Sequence, residues 1–249
     1  MGIEMGRFYD DLLDSVSIEH RDLDVEEVLV GHHWTLVRTE KTGLAYTYRL
    51  PHSPHPQGAG TLTSKRAWEL AGYIKSWNLL EASIGLATLN SLCDLEGEDT
   101  NAHEYALARA NGRKVAVVGH FPFLQKMKEI SKALWVMELN PQEGDLPASA
   151  AEEFLPRADI TLITGTSIIN KTLPRLLELS RGSETILLGP SVPLTTALFD
   201  YGVDVLGGIR VTDGPFLRRC VSEGARNLFQ FNTGLQLVMV RSGTKRASR

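Results

Sequence analysis

Residues Arg113–Phe123, RKVAVVGHFPF, decide how the chain is read. Arg113 and Lys114 lead into the apolar run Val115–Val118, which stops at Gly119 ahead of His120 and Pro122. An unbroken run of this kind reads as a strand buried on both faces, as in a parallel sheet. Phe123–Ser131 then carries apolar and charged residues at helical spacing, so the unit is strand, sharp turn, helix. In a doubly wound fold that first turn lies at the carboxyl end of the sheet, where ligands bind.

Downstream the pattern repeats. Strand-like runs at Lys114–Val118, Ala133–Leu139, Asp159–Thr164, Thr185–Leu188 and Asp204–Gly207 alternate with helix-like runs. The helical runs are Phe123–Ser131, Ala148–Phe154, Lys171–Ser180, Thr195–Tyr201 and Pro215–Glu223. Strict alternation with short connections predicts a Rossmann-like, doubly wound, mostly parallel sheet covered on both faces. Leu235–Arg241 reads as a final edge strand.

Upstream the pattern differs. Met5–Ser17 has one helical apolar face, and Val25–Gly31, Trp34–Glu40 and Leu44–Leu50 read as a three-stranded antiparallel meander. Pro51–Gly60 is a loop by composition; helices follow from Thr63 or Ser64 to Ser76 and over Leu79–Leu92. Leu95–Asn101 reads as an acidic linker, and His103–Arg109 as a helical turn that hands the chain over. The fold class expected is α/β: a small α+β domain over residues 1–105, a Rossmann-like domain over 106–241, and a disordered basic tail, Ser242–Arg249.

Bulk properties narrow the function. The 249 residues are 43% hydrophobic and 22% charged, ordinary for a globular protein. A formal net charge of −4 gives no electrostatic footprint for nucleic acid. No run has the length of a membrane span or a signal-peptide core, so a cytoplasmic protein without membrane attachment is expected. Cys93 and Cys220 are far apart in sequence and read as reduced thiols. A small-molecule ligand is the expected partner, with a homodimer as a candidate assembly.

Polar residues collect where strands end. Gly119 and His120 follow the first strand and Glu138 closes the second; the third runs into Thr164-Gly165-Thr166-Ser167 and on to Asn170. Gly189-Pro190-Ser191 follows the fourth, and the fifth runs into Gly207 and Gly208. One rim lined by these residues would suit a small molecule or an anion. Glu138 lies about 20 residues past the first turn, where an acid binds a ribose hydroxyl, though a solvent-facing strand end explains it equally. The dinucleotide fingerprint fails: the second and third glycines are missing and Pro122 removes a backbone N–H, so a conventional NAD site is not expected. His120 reads as a general base or metal ligand, or as a turn histidine held by backbone. Thr164–Ser167 could cradle an anion, while Ser167 or Asn170 could simply cap the next helix.

Elsewhere the signals are weaker. His32 and His33 alternate faces, and His52 and His55 lie in a Pro-rich loop with no acid beside them, so structural zinc is not expected. Glu81 either favours the dipole of its helix or reaches a site shared between domains, and Asn90 reads as surface or packing. No nucleophile elbow, P-loop or zinc-protease motif is present.

Several ordered segments resemble the putative heavy-metal chelation family. They are Gly31–Thr35, Glu81–Ala87 with Asn90, Val118–Pro122, Glu138–Pro141, Ala158–Ile160 through Thr164–Ser167 to Asn170 and Thr172, and Gly189–Leu194 with Gly202–Asp204. The resemblance implies a domain similar to the amino-terminal domain of enolases, then a Rossmann-like domain with partial similarity to methyltransferases. It implies a link to heavy-metal chelation through a pterin-, flavin- or siderophore-like chelator, with a metal ion or metal–chelator complex as the cofactor to expect. Carried over, it places Glu81, Asn90, Gly119, His120, Pro122, Glu138, Thr164, Gly165, Thr166, Asn170, Gly189, Pro190 and Ser191 around the site, His120 and Glu81 as its catalytic candidates. An enolase-like cap does not bring enolase chemistry with it. Binding of a chelator between the domains, and a methyltransferase-like, hydrolytic or condensing enzyme at the rim, are the two readings that stand.

Overall fold

The structure, a computed structural model, describes residues 2–231 and 233–243. The expected tail lies outside these from residue 244 onward.

The amino-terminal unit is built on a three-stranded antiparallel sheet in the order β1 (Glu27–Val30), β2 (Trp34–Arg38), β3 (Thr42–Tyr46). Behind it lie α1 (Met5–Asp14), α2 (Ile18–Arg21), α3 (Ala67–Ala71) and α4 (Leu79–Leu92). Asn78 caps α4 by accepting the Leu80 N–H at 3.1 Å. This helix is buried nearly all round, which its small residues allow: a Cβ on Gly85 would lie 2.0 Å from the Ile74 nitrogen. The continuous helix expected up to Ser76 is instead broken into a 3₁₀ turn at Leu62–Ser64, α3, and a 3₁₀ turn at Gly72–Lys75, the last tightened where its backbone presses on Gly85.

The second unit begins with α5 (Ala102–Ala110), the helix that the sequence placed at the hand-over. Its Ala106, Leu107 and Ala110 pack with Val115, Val117, Ile160 and Leu162, so it covers the large sheet. That sheet contains β4 (Lys114–Val118), β5 (Ala133–Glu138), β6 (Leu146–Pro147), β7 (Ile160–Thr164), β8 (Glu184–Leu188), β9 (Val205–Val211) and β10 (Leu235–Arg241). Its order is β10-β9-β8-β7-β4-β5-β6, parallel throughout except for β10. The helices between are α6 (Leu124–Ile130), α7 (Ala151–Phe154), α8 (Thr166–Ile169), α9 (Leu173–Leu179), α10 (Ala197–Asp200) and α11 (Gly214–Ser222).

The six parallel strands have the doubly wound order, with the switch point between β4 and β7. The fifth strand runs past the expected end at Gly207 to Val211. Gly207 and Gly208 are interior positions: a Cβ on Gly207 would sit 2.5 Å from both Ala102 and Leu188, and one on Gly208 2.9 Å from Leu194. They are packing glycines, not a strand tip.

The two units share core. Leu36 and Leu44 of the small sheet bury against Leu217, Cys220 and Val221 of α11. Burial of each such leucine is worth roughly 1.5–3 kcal/mol. Across the other end, Phe8 meets Tyr201 edge to face at 4.8 Å, and the Tyr9 hydroxyl donates to Ile168 O at 2.6 Å. Among the described residues no helix is long and apolar enough to cross a membrane.

Candidate functional site

The carboxyl ends of the central strands form a floor of glycines. Each ladder is carried one residue past its strand: Gly119 N–H donates to Met137 O at 3.1 Å, Gly165 N–H to Leu188 O at 2.8 Å, and Gly189 N–H to Gly207 O at 2.9 Å. Gly119 (φ 110°) and Gly189 (φ 119°) use the left-handed region that favours glycine. A Cβ on Gly119 would lie 2.9 Å from the Thr164 Cβ, so the tips of β4 and β7 touch at the switch point. Thr164 and Thr166 share a hydroxyl–hydroxyl bond of 3.0 Å beside them.

The small domain supplies the roof. Trp34, Leu36, Leu44, Tyr46 and Tyr48 alternate onto the face of its sheet that is turned to the second unit, because residues two apart on a strand share a face and Trp34 pairs with Tyr46. Leu36 and Leu44 fill the core there, and Tyr46 and Tyr48 continue the row towards the Ser191 loop. Trp34 and Tyr46 meet edge to face at 6.0 Å, as do Tyr46 and Tyr48. Tyr46 N–H donates to the Ser191 hydroxyl at 2.9 Å, fixing the roof to the loop after β8.

The Tyr48 phenol lies near the Asn170 side chain and in the field of Glu138. Burial pushes its pKa up, the polar Asn170 side chain pulls it back, and the charges of Glu138 and Tyr46 push it up further. Asn170 Oδ1 is occupied by the Thr172 hydroxyl at 2.7 Å and the Thr172 N–H at 3.2 Å, so its amide nitrogen is the group left for Tyr48. Glu138 turns one oxygen to the Leu139 N–H at 3.0 Å.

Gly119, Glu138, Thr164, Gly165, Thr166, Asn170, Gly189 and Ser191 therefore share one rim, with Pro190 beside Ser191. His120 is half-exposed, its Nδ1 3.4 Å from the largely buried Asp145 carboxylate on the loop after β5. Pro122 is exposed in the turn that follows. Ser167 neither caps a long helix nor opens to the rim: it is buried, and its hydroxyl donates to Thr164 O at 2.6 Å.

Two of the residues expected at the site have architectural partners. Asn90 is behind β3 and donates to Leu44 O at 2.8 Å, its own oxygen buried without a partner. Glu81 accepts the Gln57 N–H at 2.7 Å and the Ser76 hydroxyl at 2.5 Å, pinning the Pro-rich loop. Tyr46, Tyr48 and Asp145 complete the cleft and were missed; the alternation of tyrosines after Leu44 was the available signal.

Among the described residues no three His, Cys, Asp or Glu side chains are grouped to hold a metal ion. Burial pushes the Cys93 thiol up to about 12 and that of Cys220 up as well, away from the thiolate form that soft metals prefer. The residues do not fit a protein-held ion. Their chemistry is that of a hydroxyl-, amide- and carboxylate-lined cleft with an aromatic wall.

Residues 9–93 match a family described as "Putative heavy-metal chelation" (DUF4213), and residues 101–239 match a second of the same description (DUF364). The fold is similar to the crystal structure of a protein of unknown function from the DUF364 family of Desulfitobacterium hafniense, with a TM-score of 0.86 and 33% identity, covering 96% of this chain and 99% of that one. A second such structure, from Pyrococcus horikoshii, aligns with a TM-score of 0.76 at 19% identity over 96% of this chain and 99% of that one. An uncharacterized protein of Methanocaldococcus jannaschii is 25% identical over 182 residues, 69% of this chain and 70% of its own length.

Proposed function

Since this chain belongs to the DUF364 putative heavy-metal chelation family, we propose that it binds or processes a small, planar, chelator-type molecule in the cleft between its two domains. One observation carries the reading: the Tyr46 N–H of the small domain is tied to the Ser191 hydroxyl of the large one at 2.9 Å, which sets the tyrosine row beside a glycine floor. Glycines leave room for a ligand against the backbone, and the part-exposed Tyr46 ring offers a stacking face. Glu138 is an acceptor for N–H or O–H groups, and the Thr164–Thr166 hydroxyl pair serves either polarity. In this reading His120, beside Asp145 and part-exposed, takes the part of the proton carrier. Metal, where it enters, is held by the donor atoms of the chelator. The protein works in the cytoplasm in this reading.

The test is a thermal-shift screen of the full chain against pterins, flavins, catecholates and hydroxamates, each with and without divalent metal. A binder raises the melting temperature by mass action, and Tyr48→Phe with Glu138→Gln lowers its affinity. No shift from any compound, or a shift indifferent to both substitutions, rejects the cleft.

The position of Glu138 at the tip of β5, next to the first strand of the doubly wound order, favours a second reading: an enzyme holding a nucleotide or S-adenosylmethionine at the rim. Both compounds belong in the same screen. Loss of their binding in Glu138→Gln supports it, and unchanged binding rejects the ribose role.

A further inference from the structure

The outer edge of β10 is closed at one end only. Glu98 and Met239 exchange both main-chain bonds, and beyond them the linker turns off towards α5, the Thr100 N–H returning to Glu98 O at 2.7 Å. On the inner side, Gly234 O accepts the Thr212 N–H at 2.9 Å. Main-chain groups alternate in direction along a strand, so even-numbered residues of β10 face β9 and odd-numbered ones face outward. The N–H and C=O groups of Leu235 and Leu237 therefore point away from the sheet, and among the described residues nothing takes them.

Beside these groups lies a groove of about 470 Å³, which Leu235 and Leu237 line between the linker at Asp99 and Thr100 and the 3₁₀ turn at Leu228 and Phe229. Phe229 is 42% exposed there. Sheet edges left to face water are blunted by charges, proline, a bulge or a cover. From Thr233 to Val238 the chain has no charged residue and no proline, and β10 pairs with β9 without a bulge. An apolar edge with free main-chain groups and none of these devices calls for a partner strand.

We propose that this partner is β10 of a second copy of the chain, the two forming one antiparallel sheet that runs through both. A two-fold axis at Gln236 sets Leu235 opposite Leu237 of the second copy and Leu237 opposite its Leu235. Residues so opposed exchange both main-chain bonds, and every free group of the open stretch gains a partner. Other centres do worse. An axis at Leu237 would bring Leu235 against Met239, which Glu98 already holds, and one at Leu235 would carry Leu237 past Gly234 (φ 82°), where β10 has not begun. With the axis at Gln236, each strand leaves the line at Gly234, short of Glu98. Cross-strand neighbours share a face, so Leu235 and Leu237 of both copies meet beside the two Phe229 rings. The interface is isologous, the same patch serving on each copy. It does not depend on what the cleft binds.

Gln236 supplies a substitution that separates the pair from the single chain. Its side chain lies on the face opposite Leu235 and Leu237, where its Oε1 accepts from Arg210 Nη1 at 3.4 Å. In one chain Gln236→Glu keeps an acceptor for Arg210. In the pair it sets two carboxylates face to face on the axis, where like charges repel. Leu237→Pro is a second such change, since it removes an N–H that faces outward, a loss an edge strand tolerates.

Sedimentation equilibrium of the full chain from about 1 to about 200 µM tests this, the range suited to a small interface. The mass should rise from that of one chain towards that of two. Gln236→Glu and Leu237→Pro should each weaken the dimer by at least about tenfold, and if either variant does not melt as a folded protein the other decides. In hydrogen exchange the Leu235 and Leu237 amides should be protected in concentrated wild type and open in the variants. A wild type that stays monomeric over the whole range overturns the pairing, as does a dimer that the folded variants leave unweakened. Protection of both amides in a monomer would give the edge to another segment of the same chain and overturn it equally.

Discussion

Each sheet has an outer edge, and the two edges are closed in different ways. Along β3 and the two residues after it, three side chains take the free backbone groups: Asn90 donates to Leu44 O at 2.8 Å, while the Ser191 and Ser83 hydroxyls each accept an N–H, from Tyr46 and Tyr48, at 2.9 Å. On β10, the main chain of the linker does it, Glu98 and Met239 exchanging bonds of 2.8 and 2.9 Å. Unpaired edge groups must be satisfied in either case. A main-chain closure tolerates many side chains. A side-chain closure commits each residue it uses, and on β3 those residues border the candidate site. Architecture and ligand binding therefore draw on the same groups there, while the β10 edge is free of the site.

The largest contrast should come from glycines at the two edges. A Cβ on Gly43 would lie 2.0 Å from Ala87 O and 2.3 Å from Ser91 N, both backbone atoms of α4. A Cβ on Gly97 would lie 2.6 Å from Met239 O but otherwise meets side-chain carbons of Val240 and Val238 that can turn away. We expect Gly43→Ala to lose more than about 3 kcal/mol in urea unfolding and Gly97→Ala about 1–2 kcal/mol. Equal losses would show that the β10 edge is packed as tightly as β3, and the contrast would fail.

Next is Ser191→Ala, which leaves the Tyr46 N–H without its acceptor and should cost about 1–2 kcal/mol. It should also weaken whichever compound of the screen binds, because the roof loses its tie to the loop after β8. A variant of unchanged stability that no longer binds would make Ser191 a ligand contact instead of a strap. Tyr48→Phe removes only the oxygen facing Asn170 and should cost about 0.5–1.5 kcal/mol. Its effect on binding should exceed its effect on the melt; the reverse would place Tyr48 in the architecture alone.

How much of this could be read beforehand depends on the range of the forces involved. Lys114–Val118, Leu79–Leu92 and Leu235–Arg241 have the same bounds in sequence and structure, because local apolar patterning and a capping Asn78 set them. The placing of strand ends on one side was legible too, since alternation predicts parallel strands and glycines mark where they stop. It failed where glycine meant packing, at Gly207 and Gly208, because Ala102 and Leu194 approach from far along the chain. Tyr46 and Tyr48 could not be assigned to a face without knowing which side of the small sheet meets α11. The burial of Lys171 gives no signal at all: a lysine before a helix reads as solvated, and only the docking of Tyr9 and Ile74 covers it.

The smallest effect belongs to the other edge. Arg241 Nη2 lies 2.5 Å from Glu98 Oε1, and both side chains are more than half exposed. The hydrogen bond to Glu98 raises the guanidinium pKa further, so Arg241 stays cationic. Exposed pairs of this kind contribute little and are screened by salt. Arg241→Gln should therefore shift the melt slightly in dilute buffer and not at all in 1 M salt. The Glu98–Met239 main-chain bonds do not pass through either side chain, so they survive the substitution. A loss that persists in high salt would mean that the ion pair holds the linker on the edge. Both edges would then depend on particular side chains, and the contrast between them would be lost.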